Sequence, residues 1–246
     1  MYSRHSQPAQ TYLVLTIGNS QLRWAAIAHS QICQQGNASH RHEPASRKLL
    51  PAIYQDWPLY ILSVVPEQLQ WWQAVPNSQV ITLEDVPLAG KYATLGSDRA
   101  VAAYGAMQHY GAPVLVIDGG TAWTLTAIDA NSVLQGGAIL PGLALQYQSL
   151  SQGTASLPDL ALSTAPPNRW STKTIPAIHS GIQYTLLAGI KDFIQAWRAD
   201  YSQSPVILTG GSGAWLWQQL SGRHYADLHY EPNLILQGMV ALIGSG

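Results

Sequence analysis

Two segments, one in each half of the chain, share the same order of an apolar run, a polar residue and a glycine turn. Residues 15–20 are Leu-Thr-Ile-Gly-Asn-Ser, and residues 117–121 are Ile-Asp-Gly-Gly-Thr. In both, a glycine comes two residues after the polar position, and a hydroxyl residue follows within one or two more. Apolar runs joined through such a turn are typical of β-hairpins. We interpret the two segments as copies of a duplicated unit; two unrelated glycine hairpins are the alternative.

The remaining sequence alternates between strand-like and helix-like patterns. Apolar runs predict further buried strands at 59–65, 80–83 and 206–208. Helical patterns occupy 99–110, 181–200 and 233–243. Ser97 and Asp98 are candidate N-caps of the first of these helices. Hairpins combined with this alternation predict an α/β architecture with a mixed sheet in each half.

The composition is that of a compact globular protein. Of 246 residues, 47% are hydrophobic and 10% are charged, and the formal net charge of -1 argues against a nucleic acid or an anionic membrane as partner. No apolar run reaches the ~18 residues that a membrane-spanning helix needs. The single cysteine, Cys33, excludes an internal disulfide and a cysteine metal cage, and it favours a cytoplasmic location. Residues 1–11 are predicted to be a short extension.

Three glycine turns each follow an apolar strand, at 18–20, 119–121 and 210–213. Consecutive N–H groups in such turns form a concave anion site, and glycine allows a ligand to approach closely. Ser20 and Thr121 add hydroxyl donors. A single glycine turn has an ordinary structural explanation, but three turns together favour a nucleoside triphosphate. None of them is followed by the Gly-Lys-Ser/Thr of a Walker loop.

Two aspartates and an arginine supply the charge that phosphoryl transfer requires. Asp98 and Asp118 stand at predicted element ends, close to glycines, where a ligand can reach them. The structural alternatives are a helix cap for Asp98 and a turn-forming role for Asp118. If Asp98 caps a helix, its pKa is expected to be low. Arg99 offers a fork that suits a carboxylate.

In combination these motifs resemble those of type III pantothenate kinases, which phosphorylate pantothenate in the first step of coenzyme A biosynthesis. The resemblance begins with Gly96-Ser97-Asp98-Arg99 and the upstream Tyr92, and it continues with Asp118-Gly119-Gly120-Thr121-Ala122. The later matches are Gly136-Gly137 through Pro141-Gly142, Thr174, Thr209-Gly210-Gly211, Pro232-Asn233-Leu234 and Gly238. In this order they run from Leu13 to Gly238.

The resemblance implies the fold of acetate and sugar kinases, Hsp70 and actin. That fold has two ribonuclease-H-like α/β lobes with mixed sheets and an active site between them. We expect lobes at 1–112 and 113–246, with residues 1–11 as the extension. ATP is implied as the phosphoryl donor, with Mg²⁺ and a monovalent cation, K⁺ or NH₄⁺. The implied partners are pantothenate and a second copy of the chain in a homodimer.

The resemblance also implies roles for individual residues. Asp98 is expected to accept the proton of the pantothenate hydroxyl, and Asp118 to bind the monovalent cation. The expected pantothenate contacts are Tyr92, Gly96, Ser97, Asp98, Arg99 and Thr174. The expected ATP contacts are Thr16, Ile17, Gly18, Asn19, Ser20, Gln21, Leu22, Arg23 and Thr121.

One position departs from the family's pattern. The first phosphate motif of the family begins with Asp, and Thr16 stands there in this chain. A hydroxyl holds hydrated Mg²⁺ less well than a carboxylate does, so we expect a high Mg²⁺ requirement. Two other interpretations stay open: a kinase or phosphatase of the same fold that acts on a sugar or polyphosphate, and a catalytically impaired relative that binds nucleotide or a partner protein.

Overall fold

The computed structural model describes residues 11–39, 50–163, 167–221 and 227–245. Of the proposed extension over residues 1–11, only Thr11 falls within these ranges. The chain divides into two compact units, the first formed by residues 1–111 with 233–246 and the second by residues 112–232.

The elements alternate along the chain as the sequence predicted. The strands are β1 (Thr11–Ile17), β2 (Gln21–Ala28), β3 (Gln31–Ser39), β4 (Leu59–Ser63), β5 (Ser78–Ile81), β6 (Val114–Gly119), β7 (Ala122–Ile128), β8 (Leu134–Pro141), β9 (Val206–Thr209) and β10 (Leu228–Tyr230). The helices are α1 (Pro66–Gln73), α2 (Ser97–Tyr110), α3 (Leu143–Gly153), α4 (Thr174–Asp200), α5 (Gly213–Leu220) and α6 (Leu234–Gly244). Among the described residues no helix is both long and apolar enough to cross a membrane.

Each unit contains one five-stranded mixed sheet, and the two sheets have the same topology. The first has the order β3-β2-β1-β4-β5 and the second, read from the other edge, β8-β7-β6-β9-β10. In each, the first three strands of the unit are antiparallel and the last two add in parallel. The equivalent strand pairs β2–β3 and β7–β8 also each have a register shift, at Ala26/Ile27 and at Ala127/Ile128. The duplication inferred from the two glycine hairpins therefore extends over both sheets.

Apolar side chains from each sheet form a separate core. In the first unit, Leu13, Leu15 and Ile61 are buried with Trp72 of α1. In the second unit the core lies between its sheet and helices α3, α4 and α5, and it includes Trp123. The central strands β1 and β6 are almost wholly buried, which explains why their runs are apolar rather than alternating.

The C-terminal helix belongs to a different unit from the one expected. Residues 113–246 were expected to form one lobe, but α6 belongs to the first unit. It packs on α2, where a Cβ added to Gly105 would lie 2.7 Å from the Gly238 Cα. Two glycines in register let the helix backbones approach closely, and this contact keeps the end of the chain with the first unit.

Candidate active site

The carboxyl ends of β1 and β4 bring the first glycine hairpin next to the start of α2. Ile17 lies opposite Ser63 in the parallel register, and the Val64 N–H donates to the Ile17 carbonyl at 3.1 Å. The Ser97 hydroxyl, in the first turn of α2, reaches the Ser63 carbonyl at 3.5 Å. Because ligands of open α/β sheets bind at the carboxyl ends of parallel strands, this edge is the candidate site of the first unit.

The first hairpin presents backbone and short polar groups at this edge. Its turn is closed by the Gly18 N–H, which donates to the Gln21 carbonyl at 3.1 Å. Asn19 and Ser20 are exposed at the tip. Ile17 and Leu22 lie in the core at 1% and 2% exposure, so only their main-chain atoms are available to a nucleotide.

Arg23 brings a positive charge to the same hairpin. It lies opposite Thr16 in the antiparallel register, and the Thr16 hydroxyl donates to its carbonyl at 3.4 Å. The Arg23 guanidinium donates through Nη2 to Oδ1 of Asn233 at 3.1 Å. Asn233 is the N-cap residue of α6, but its side chain makes no capping hydrogen bond. The amide therefore contacts Arg23 instead of the helix, a contact that no sequence pattern indicated.

Tyr92 and Arg99 form a pair beside the start of α2. Arg99 is 9% exposed, and its Nη1 donates to the Tyr92 hydroxyl at 3.1 Å. The Tyr92 ring is 41% exposed. A phenol that accepts a hydrogen bond keeps its own proton available for another acceptor, so Tyr92 can donate to a ligand.

Asp98 lies in the first turn of α2, but it is not the N-cap. The N-cap is Gly96, against the expectation of Ser97 or Asp98. The Asp98 Oδ1 accepts the Arg99 N–H at 2.8 Å, and a Cβ on Gly96 would approach that oxygen to 2.6 Å. Because Gly96 has no side chain, the Asp98 carboxylate can occupy this position without a clash.

The low pKa expected of a capping Asp98 does not apply, because Asp98 is not the N-cap. Burial raises the pKa of this carboxyl above its ordinary value, although the Arg99 N–H and the Arg99 charge lower it in part. Desolvation disfavours the charged form, and at this position it outweighs the hydrogen bond and the neighbouring cation. Asp98 is consequently a stronger base than an ordinary aspartate.

In the second unit, Asp118 is surrounded by glycine turns. It lies near the end of β6 opposite Thr209 of the parallel strand β9, and a Cβ on Gly210 would overlap its Oδ1. Gly210 has φ +82°, a left-handed conformation that side chains other than glycine rarely adopt. The turn after β9 is fixed to the turn after β6 by the Ser212 N–H, which donates to the Gly119 carbonyl at 2.8 Å.

Thr121 lies exposed in the turn after β6, and Gly142 packs against the main chain of that turn. The Gly142 N–H donates to the Thr121 carbonyl at 3.0 Å. A Cβ on Gly142 would overlap the carbonyls of both Gly120 and Thr121. The turn at 119–121 thus contacts both the 210–213 turn and Gly142, and glycines of the first two segments lie next to the Asp118 carboxylate.

This arrangement fits a hard cation bound through oxygen. Asp118 supplies a carboxylate, and the missing side chain at Gly210 leaves that carboxylate its place. Within the described residues no group of three or more His, Cys, Asp or Glu could hold a metal ion. A cation here would therefore combine Asp118 with main-chain carbonyls and with oxygens from outside the chain.

Thr174 is the first residue of α4 and is exposed, so this helix begins earlier than the predicted 181. Two side chains hold its first turns. The His179 Nδ1 lies 2.9 Å from the Tyr147 hydroxyl of α3, and the Ser180 hydroxyl donates to the Arg169 carbonyl at 2.6 Å. Burial raises the pKa of the Tyr147 phenol. No sequence pattern indicated this contact of His179.

The expected site residues therefore form two groups. Tyr92, Gly96 to Arg99 and the hairpin from Thr16 to Arg23 belong to the first unit, and Asp118, Thr121 and Thr174 to the second.

Comparison with known proteins decides the family. The model of the type III pantothenate kinase family matches residues 12–196. The chain belongs to this family. It is 40% identical to the type III pantothenate kinase of Nostoc sp. over 94% of each chain. It is 43% identical to that of Synechococcus elongatus over 92% of this chain and 94% of the other.

Solved structures show the same fold at low sequence identity. A protein from Campylobacter jejuni, described as of the Baf family of transcriptional activators, has a TM-score of 0.67 at 22% identity and covers 95% of this chain and 98% of its own. The activator of 2-hydroxyisocaproyl-CoA dehydratase from Clostridium difficile, with bound ADPNP, has a TM-score of 0.55 at 11% identity over 96% and 93%. This member of the type III pantothenate kinase family thus has the two-unit α/β fold of actin-like ATPases and sugar kinases.

Proposed function

We propose that this chain transfers the terminal phosphoryl group of ATP to the hydroxyl of pantothenate, giving 4′-phosphopantothenate and ADP. The observation that carries the proposal is the cluster of Tyr92, Asp98 and Arg99 at the carboxyl edge of the first sheet, in a chain that belongs to this kinase family. A basic carboxylate beside a buried guanidinium suits a small substrate that has both a hydroxyl and a carboxylate.

Asp98 would orient the pantothenate hydroxyl and accept its proton. Phosphoryl transfer depends mainly on positioning and electrostatics, and a general base of raised pKa holds the proton better as the oxygen attacks. The Arg99 N–H holds Oδ1 of Asp98, and Oδ2 would be the oxygen that meets the substrate hydroxyl.

Arg99, Tyr92 and the residues around them would bind the rest of pantothenate. The Arg99 guanidinium contacts Tyr92 through Nη1, and its planar fork of N–H donors would suit the pantothenate carboxylate. Tyr92 would donate its own proton to a substrate oxygen. Gly96 and Ser97 offer the first amides of α2, and Thr174 would add a hydroxyl.

The ATP phosphates would contact the first hairpin, from Thr16 to Arg23, together with Thr121. The exposed turn amides and the Ser20 hydroxyl donate to phosphate oxygens, and Arg23 compensates negative charge. Mg²⁺ would neutralise phosphate charge, and Asp118 would supply a carboxylate to K⁺ or NH₄⁺.

We propose further that the chain forms a homodimer and acts in the cytoplasm. Apolar side chains on the second unit support a contact with a second copy, since Trp170 is 88%, Ile139 66% and Ile175 48% exposed. Cys33 is an exposed free thiol, which suits a reducing compartment. Light scattering of the wild type and a Trp170→Glu variant tests the dimer.

The decisive experiment is the reaction itself. Wild-type protein is incubated with ATP, Mg²⁺ and K⁺, with and without pantothenate, and the products are followed by a coupled ADP assay and mass spectrometry. We expect pantothenate-dependent ADP and a phosphorylated product. ATP hydrolysis or nucleotide binding with no phosphorylated pantothenate at any metal or salt concentration would instead favour the impaired nucleotide-binding relative, which Thr16 makes conceivable.

A further inference from the structure

The Lys91 ammonium group is surrounded by main-chain carbonyls. Its Nζ lies 2.6 Å from the Val86 carbonyl oxygen, 2.8 Å from that of Leu83 and 3.3 Å from that of Glu84. An ammonium group has three N–H donors and no acceptor. All three donors are thus matched by carbonyls of one short turn.

This turn belongs to the irregular segment between β5 and α2, residues 82–96. The Asp85 carboxylate closes the start of the turn, because its Oδ2 accepts both the N–H and the hydroxyl of Thr82 at 2.8 Å. Val86 and Leu88 anchor the segment in the core at 0% and 4% exposure. Lys91 then ties the later part of the segment back to the turn.

Tyr92 follows Lys91 directly and depends on the same backbone. Its side chain is 41% exposed, so packing alone does not fix its position. The restraints on it are the hydrogen bond from Arg99 and the main-chain bond from the Leu95 N–H to the Tyr92 carbonyl at 2.9 Å. The place of the phenol opposite Arg99 is therefore set by how residues 91–95 are held.

We infer that Lys91 is a positioning residue of the pantothenate site. It fixes the backbone that carries Tyr92, so that the phenol meets both Arg99 and the substrate. The inference rests on the proposed function, because Tyr92 is taken as a substrate contact. Lys91 itself does not touch the reacting atoms.

The chemistry of the contact predicts which replacements fail. Methionine has a similar stem but no donor, so Lys91→Met leaves three carbonyls without their partner. Arginine keeps the charge but spreads its N–H groups over a rigid plane, whereas these carbonyls converge on one nitrogen. Lys91→Arg is therefore expected to keep more of the pantothenate affinity than Lys91→Met, but less than the wild type.

The test compares steady-state constants and backbone exchange for the wild type, Lys91→Met, Lys91→Arg and the control Lys191→Met, which removes an exposed lysine from α4. For Lys91→Met we expect the KM for pantothenate to rise roughly ten- to hundredfold, since small misplacements of a binding group carry costs of this order. The KM for ATP should stay within about twofold, and Lys91→Arg should lie in between. Hydrogen exchange should quicken in residues 82–96 and not in α4.

The outcomes separate the two proposals. If the wild type neither binds pantothenate in calorimetry nor phosphorylates it, both the proposed function and the role of Lys91 are wrong. If the wild type is active but both KM values in Lys91→Met shift equally or not at all, only the positioning role fails. Faster exchange in residues 82–96 without a selective KM change would also overturn it, because Lys91 would then serve stability alone.

Discussion

Thr16 and Asp118 occupy equivalent positions in the two sheets. Each lies near the carboxyl end of the central strand of its unit, paired across a glycine hairpin, Thr16 with Arg23 and Asp118 with Thr124. On the other side each lies next to a parallel strand. The duplicated fold thus places a carboxylate in the second copy and a neutral hydroxyl in the first.

Restoring a carboxylate in the first copy should change the metal requirement. We expect Thr16→Asp to lower the Mg²⁺ concentration needed for half-maximal rate and to raise turnover at limiting metal, because a carboxylate offers charge and stronger acceptance. Titration of Mg²⁺ against initial rate measures both effects. The control is Gln35→Asp, which adds the same charge on the exposed edge strand β3.

The Arg23 guanidinium competes with this outcome. An aspartate at position 16 would be its cross-strand neighbour and could pair with it rather than with metal. If Thr16→Asp abolishes activity or leaves the metal curve unchanged, the site is built around the threonine and a high Mg²⁺ requirement does not follow from it.

Asp98→Asn should remove the base and keep the fold. The side-chain amide oxygen that this substitution introduces can still accept the Arg99 N–H, so the first turn of α2 survives. Turnover should fall by about 10²–10⁴, the usual contribution of a positioned base. The matched control is Glu67→Gln, which neutralises an acid in the first turn of α1. Near-normal turnover of folded Asp98→Asn would leave Asp98 with a structural role only.

The same substitution should alter how stability depends on pH. The pKa of Asp98 is raised in the folded state, so folding loses stability as pH rises from the unfolded pKa through the folded one. An asparagine at position 98 does not ionise, so the variant does not lose this stability. It should melt at a higher temperature than wild type near neutral pH. The difference should shrink as pH is lowered towards the ordinary aspartate pKa of about 4. A difference that grows on acidification would mean that the pKa is lowered instead.

The duplicated hairpins were predictable because their strands are continuous apolar runs that end in glycine. Strand β3 was missed because most of its side chains are exposed at the sheet edge, so it carries no apolar alternation. Helix α1 has eight residues, too few for a clear period. The place of α6 depends on contact between Gly105 and Gly238, which are distant in sequence. The raised pKa of Asp98 depends on burial, which no local pattern reveals.

The proposed function gives Arg99 two separable roles, contact with Tyr92 and binding of the pantothenate carboxylate. Arg99→Lys should raise the KM for pantothenate much more than the KM for ATP, because an ammonium does not reproduce a bidentate guanidinium. Tyr92→Phe removes only the hydroxyl that Arg99 contacts. If Arg99 acts through Tyr92 alone, the double variant should be no worse than Arg99→Lys. If it also binds the carboxylate, Arg99→Lys should exceed Tyr92→Phe clearly, and equal effects on both KM values would remove Arg99 from the substrate site.

The crossing of α2 and α6 should tolerate no side chain at Gly105. A Cβ there would lie 2.7 Å from the Gly238 Cα and 2.9 Å from its nitrogen, so the two backbones would have to separate. Overpacking of this kind costs about 1–3 kcal/mol, which outweighs the gain of up to ~1 kcal/mol that alanine brings to a helix. Gly189 of α4 is the matched control, since a Cβ there meets nothing within 4 Å. We therefore expect Gly105→Ala to lower, and Gly189→Ala to raise, the free energy of unfolding in urea.

Because α2 carries Asp98 at its start, Gly105→Ala should also reduce turnover in the fraction that stays folded. A Gly105→Ala protein as stable as wild type would show that the helices can part without cost, and the C-terminal helix would then not fix the position of α2.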